Sequence, residues 1–189
     1  MQLDGLKVAV LVTDGYEPSE LTEPVAALRE AGADVTIVSD HDGTIRGKTD
    51  ADIATVDLTL DTARPDDYAA LLLPGGVKNP DTMRQNERGV AFVRHFADAG
   101  KPIAAICHAP WMLVEADVVR GRRVTSYPSL KTDLRNAGAE WVDEQVVVDT
   151  GIVTSRTPND IPAFNAKMLE EFAEGIHDRT TAGAAATAR

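Results

Sequence analysis

The densest chemistry in this sequence lies in Ala104-Ala105-Ile106-Cys107-His108-Ala109-Pro110, where an apolar run that reads as a buried strand stops at a cysteine. A helix must begin within about two residues of it, which is the pattern of a nucleophile elbow. Such a turn holds its nucleophile in a strained backbone conformation and requires small residues two before and two after it. Ala105 and Ala109 satisfy that requirement. Amides and the dipole at the start of the following helix favour an anion, so the expectation is that the Cys107 thiol ionises readily there. Against this, a lone cysteine is most often an inert buried hydrophobe. The strand-Cys-His-helix junction and a second glycine-rich strand end weigh for the reactive reading.

The partners such a sulfur needs are also present. Leu73-Pro74-Gly75-Gly76 ends another buried run, and the Gly75 and Gly76 amides are candidates for an oxyanion hole. Glu17 follows the first strand, and in a parallel sheet the carboxyl ends of the strands gather at one edge, so Glu17 is the candidate carboxyl to reach Cys107. A carboxyl beside a thiolate would have its proton affinity raised and could then donate to sulfur. Glu20, three residues on, reads instead as a solvated residue of the first helical turn. His108 is either a general base or a rim side chain, and Tyr127, near a strand end, could offer its hydroxyl. Trp111 and Trp141 read as packing residues.

Other signals exclude. Gly43 to Thr49 is one residue short of a phosphate loop and joins no strand to a helix. The histidines at 41, 95, 108 and 177 show no H-x-H, H-E-x-x-H or Cys/His ligand spacing, so no metal is expected, and no other cofactor. Thirty acidic against nineteen basic residues give a net charge of −11, which repels nucleic acid and anionic membrane surfaces. One cysteine cannot form an internal disulfide, and no apolar stretch approaches the roughly 18 residues of a membrane span, so a cytoplasmic protein is expected.

The elements that must position these residues follow from periodicity. Short β-branched or apolar runs at Lys7 to Val12, Val35 to Ser39, Ala70 to Leu73 and Ile103 to Ile106 alternate with helix-period segments. That order predicts an α/β fold with an open, mostly parallel sheet and helices on both faces. In the first helix Leu21, Val25 and Leu28 mark the apolar face, with Pro24 expected to kink it or mark its start. Residues 43–65 read as a polar excursion with a small hairpin, Glu87 to Ala99 as a helix stopped by Gly100, and Trp111 to Ala116 and Leu130 to Ala137 as two more helices. Arg123 to Ser126 reads as a short strand, Asp149-Thr150-Gly151 as a hairpin turn, and Phe164 to Phe172 as the last helix. The expectation is one domain over residues 1–189, with its core at about 7–175 and a frayed tail at 180–189.

These features resemble the PfpI/ThiJ superfamily, whose members have a class I glutamine-amidotransferase-like, flavodoxin-type fold. The resemblance runs from about Lys7 to Phe172. It is carried by Tyr16-Glu17, Leu73-Pro74-Gly75-Gly76, Ala105-Ile106-Cys107-His108, Thr125-Ser126-Tyr127-Pro128 and Gly138-Ala139-Glu140-Trp141-Val142-Asp143. Asn79-Pro80-Asp81 with Arg84 looks like the general-stress-protein branch. The resemblance implies that Cys107 is the nucleophile, Glu17 its carboxyl partner and His108 the general base. It also implies that Asp81 orients the histidine of a neighbouring subunit in a homo-oligomer, from dimer to hexamer. Ala109 replaces the glycine of many members, and Asp81 is one carbon shorter than the Glu of the peptidase branch. The activity implied first is a deglycase or glyoxalase III-like hydrolase of methylglyoxal or glyoxal adducts. An intracellular cysteine peptidase and a non-enzymatic redox sensor acting through Cys107 stand as alternatives.

Overall fold

The computed structural model describes residues 2–177. The chain runs β1 (Lys7–Leu11), α1 (Pro18–Glu30), β2 (Asp34–Ser39), β3 (Thr44–Arg46), β4 (Ile53–Thr55), β5 (Leu58–Thr59) and β6 (Ala70–Leu73). It continues through α2 (Lys78–Met83), α3 (Glu87–Asp98), β7 (Ile103–Ile106), α4 (Pro110–Glu115), β8 (Arg123–Val124) and α5 (Lys131–Asn136). Last come β9 (Glu140–Trp141), β10 (Val146–Asp149), β11 (Ile152–Ser155) and α6 (Ile161–Glu174).

The central sheet has the order β10-β11-β7-β6-β1-β2-β5, parallel throughout except for β10. Alternation sorts side chains to its two faces. Ala9, Leu11, Leu71, Leu73, Ile103 and Ala105 pack with Phe92, Phe96 and Leu113 on one face. Val8, Val10, Leu72, Ala104 and Ile106 pack with Leu28, Phe164 and Phe172 on the other. Burial on both faces is why β1, β6 and β7 read as unbroken apolar runs. From β1 the chain steps outward to β2 and then returns to the other side as β6, so the winding reverses between β1 and β6. A parallel sheet opens a crevice at the carboxyl ends of its strands at such a point.

Several elements differ from the periodicity reading, among them α2 and β9, which it does not mark. α1 begins at Pro18, which is pre-set for the first helical turn, and continues through Pro24, which lies on the buried face. The 43–65 excursion yields the expected hairpin, β3 paired with β4, and also β5, which adds the last strand at the sheet edge. The Arg123 strand is shorter than expected and pairs with β9 in a separate small sheet. The 149–151 turn carries Thr150 and Gly151 both at positive φ, the geometry of a two-residue hairpin. The expected tail at 180–189 lies outside the described residues.

Candidate active site

Cys107 follows the last residue of β7 with φ 65, in the left-handed region that a side chain occupies at a cost of about 1–3 kcal/mol. Both of its backbone polar groups are clamped. Its N–H donates to the Ser155 carbonyl at 3.0 Å, and its carbonyl accepts the Tyr127 N–H at 2.8 Å. These bonds to two separate segments hold the elbow in its strained form. Ala105 and Ala109, the small residues that flank the turn, are fully buried.

The carboxyl at the sulfur belongs to Glu20, not Glu17. Glu20 is completely buried, and its carboxyl and the Cys107 thiol each shift the other's proton affinity. Glu17 precedes α1, stays partly exposed and pairs with Lys48 at 3.6 Å on the cleft rim. The helix register explains the exchange: Glu20 lies on the same face as Pro24 and Leu28, four and eight residues on, and all three are buried. Side chains in a helix tilt toward its N-terminus, which here abuts the strand ends. The i, i+4, i+8 spacing was the signal that Glu20 faces inward.

Above Glu20 lies the Gly75-Gly76 turn. The Gly76 amide donates to Glu20 Oε2 at 3.2 Å, and both glycine amides stabilise that carboxylate. Any side chain at Gly75 would lie 2.7 Å from the Cys107 Cβ, and one at Gly76 would meet the Gly15 carbonyl at 2.5 Å and the Glu17 nitrogen at 2.7 Å. Asn79 sets the direction of these amides. It is buried, and its Nδ2 donates to the Pro74 carbonyl at 2.9 Å and the Gly75 carbonyl at 3.0 Å. In a trans peptide the N–H points opposite to the C=O, so holding those two carbonyls aims the Gly75 and Gly76 N–H groups the other way, at Glu20. Asn79 Oδ1 accepts the Thr13 N–H at 2.8 Å and so ties the same turn to the end of β1.

His108 Nδ1 lies 3.2 Å from Cys107 Sγ, and its Nε2 lies 3.2 Å from Ser129 Oγ. Tyr127 stacks on the imidazole at 4.5 Å between ring centroids, with Trp111 at 5.3 Å on an inclined plane. Tyr127 thus contributes a ring wall and a backbone amide. No local pattern in the sequence marks Ser129, which lies 21 residues from His108. The two indole N–H groups donate to Asp133 and Ser126. Asp81 does not reach this site within one chain. It is exposed on the outer side of α2, where it borders a separate concavity with Arg84, Val90 and Glu115.

Electrostatics reverse one expectation. Burial, then the Glu20 charge and the hydrogen bond to it, push the Cys107 thiol up, against a smaller pull from the Gly76 and His108 amides. Glu20 is pushed up to about 7, first by burial and also by Glu17. The dipole expected to favour the thiolate comes from α4, only six residues long, and it is outweighed by desolvation. Two buried anions cannot sit side by side, so the pair carries at most one negative charge at neutral pH. Burial pulls His108 down, leaving the imidazole neutral and able to accept a proton.

These groups form the floor of a cleft of about 770 Å³. Its walls come from the loops after β1, β6 and β7, with Arg46 and Lys48 from the β3–β4 hairpin. That hairpin is tied to the β1 loop by the Gly15 N–H on the Arg46 carbonyl and by Asp14 accepting the Arg46 N–H, both at 2.7 Å.

The family model described as the DJ-1/PfpI family matches residues 6–171. The chain belongs to the DJ-1/PfpI family. It is 47% identical over 165 residues to the protein/nucleic acid deglycase 2 of Escherichia coli K12, covering 86% of this chain and 95% of that one. It is 45% identical over 167 residues to general stress protein 18 of Bacillus subtilis, covering 87% and 96%. Among solved structures, Drosophila melanogaster DJ-1beta superposes with a TM-score of 0.83 at 31% identity, covering 89% and 91%. The flavodoxin-like, mostly parallel sheet with its elbow is therefore a DJ-1/PfpI fold.

Two outcomes follow. Folded Glu20 keeps a proton up to about pH 7 that an unfolded carboxyl, with its ordinary value of 4.5, has already lost. Stability therefore falls as pH rises from 4.5 to 7. Glu20→Gln should be the more stable protein above pH 7, by up to about 3 kcal/mol, and should match the wild type near pH 4 in urea unfolding. Asn79→Ala strips partners from two carbonyls and one amide. The same assay should show it destabilised by about 2 kcal/mol or more, and a loss under about 0.5 kcal/mol would contradict its place as the clamp.

Proposed function

We propose that this protein is a cysteine-dependent hydrolase of reactive-carbonyl adducts, a deglycase of the glyoxalase III type acting as a stress protein in the cytoplasm. The observation that carries this reading is a buried sulfur with a protonatable carboxyl on one side and a neutral imidazole at 3.2 Å on the other, all at the floor of a cleft. Names of relatives at 45–47% identity point the same way. No helix among the described residues is long and apolar enough to cross a membrane, which is compatible with the cytoplasm.

The chemistry needs only the side chains and amides of the cleft. In the reactive form of the pair the proton lies on Glu20 and the charge on Cys107, and the sulfur adds to the aldehyde carbon of methylglyoxal, or to that carbon as it is released from an amine or thiol adduct. The oxygen that gains charge is met by the Gly76 and His108 amides. His108 then takes the hydrogen from the carbon bearing sulfur and returns it to the adjacent carbonyl carbon, leaving a lactate thioester on Cys107. Water adds to that thioester, sulfur leaves, and lactate is released. One water is consumed and no oxidant or reductant is needed. Glyoxal gives glycolate by the same steps.

Ser129 fixes the ring of His108 from the Nε2 side within one chain. The homo-oligomer implied by the resemblance would have to bring Asp81 of one copy to that same edge of the imidazole in another. On this reading Ser129 and Asp81 compete for one nitrogen, and activity does not depend on Asp81 so long as Ser129 is present.

The test is to follow D- and L-lactate after mixing methylglyoxal with wild-type protein and with Cys107→Ala, in a buffer free of Tris because its amine traps the aldehyde. Turnover by the wild type that Cys107→Ala lacks is the expected result. Equal lactate from both would overturn the proposal. Cleavage of short fluorogenic peptides by the wild type alone would assign the sulfur to peptide hydrolysis instead.

A further inference from the structure

The end of α6 lies far in sequence from Cys107 and carries a second set of chemically capable side chains. Glu171 and Glu174, three residues apart, share one helix face. Gly175, with φ 82, then ends the helix and turns the chain, and His177 comes back over that face. One ligand atom from each of the three lies within 4.8 Å of the other two.

The arrangement is held from outside. The His177 N–H donates to the Gly100 carbonyl at 2.9 Å, so the histidine is anchored to the turn between α3 and β7. A side chain at Gly100 would collide with the His177 carbonyl. The ring is thus delivered by backbone contacts with a segment some 75 residues earlier in the chain.

What points to a ligand is the state of the facing atoms. The Glu171 side chain is only 9% exposed, yet its Oε2 makes no hydrogen bond, and neither does His177 Nε2. The two atoms face each other at 3.3 Å as an ionic contact without the alignment of a hydrogen bond. Buried polar atoms seldom remain so. A separation of 3.3 Å equals the edge of a tetrahedron around Zn²⁺, which is about 3.3 Å for ligand bonds of about 2.0–2.1 Å. Glu174 is exposed on a rotatable stem, so its carboxylate can close the third corner.

We propose that Glu171, Glu174 and His177 form a binding site for a zinc-class divalent cation, with solvent in the fourth position, that staples the end of α6 to the Gly100 turn. One imidazole and two carboxylates suit Zn²⁺ better than Mg²⁺, which demands six hard oxygen ligands in near-ideal octahedral geometry. The spacing Glu-x-x-Glu-x-x-His is not one of the ligand spacings that mark zinc sites in sequence, and it becomes a cluster only because Gly175 reverses the chain. This site is remote from Cys107 and does not rest on the carbonyl-hydrolase reading.

The test uses full-length, tag-free protein stripped with a chelator and titrated with Zn²⁺ by calorimetry, in a Cys107→Ala background so that the thiol contributes nothing. One Zn²⁺ should bind per chain and raise the midpoint of thermal unfolding, with Mg²⁺ unable to substitute. His177→Ala and Glu171→Gln should each weaken binding by more than the roughly 10–100-fold that changes behind a metal ligand produce. Glu174→Gln, an exposed change that leaves the fold intact, should weaken it at least about tenfold. Zinc binding unaffected by Glu174→Gln and His177→Ala, or no binding at all, would overturn the proposal.

Discussion

The site depends on one electrostatic constraint, the burial of the Glu20 carboxyl against the Cys107 sulfur. Each group alone would be neutral in such surroundings, and together they cannot both be charged. The glycine and His108 amides make one negative charge tolerable there and leave the second excluded. The proton that remains can sit on oxygen or on sulfur. When it sits on oxygen, the sulfur is a thiolate that needs no external base, and the carboxyl holds it by a hydrogen bond.

Keeping that pair in place occupies much of the surrounding fold. The reversal of winding between β1 and β6 opens the crevice, and α1 drops Glu20 into it from the first turn. Gly75 and Gly76 lack side chains because sulfur, carboxylate and the β1 loop fill the space that side chains would need. Asn79 then turns two carbonyls outward so that the matching amides face inward. The elbow strain at Cys107 is sustained by hydrogen bonds to β11 on one side and to Tyr127 on the other. Aim, burial and charge are thus set by different segments that meet only in the folded chain.

This division explains which parts were legible in the sequence. Strands buried on both faces announce themselves as apolar runs, and the elbow announces itself through Ala105, Cys107 and Ala109 because its requirements are local. Glu20 reads in sequence as a solvated first-turn residue, since an acidic side chain there has a ready explanation at the helix dipole. Its register with Pro24 and Leu28 carried the correct answer. Asn79 and Ser129 act on residues brought near by tertiary packing, so no spacing reveals what they bind. The ionisation of Cys107 is not legible in sequence, because the following helix is short and desolvation, a three-dimensional quantity, is the larger effect. The family motif located Asp81, yet in a single chain it faces away from the cleft.

The central claim is that burial against the Cys107 sulfur holds a proton on Glu20 far above the ordinary carboxylate range, and the carboxyl stretch of Glu20 measures it most directly. Infrared spectra would be collected across pH, with Glu20→Gln subtracted to isolate that group. The account predicts a protonated carboxyl that persists well above the ordinary carboxylate range and disappears near pH 7. A carboxyl already ionised at pH 5 would contradict it, since Glu20 would then carry full charge beside the sulfur and could not supply the hydrogen bond on which the thiolate depends.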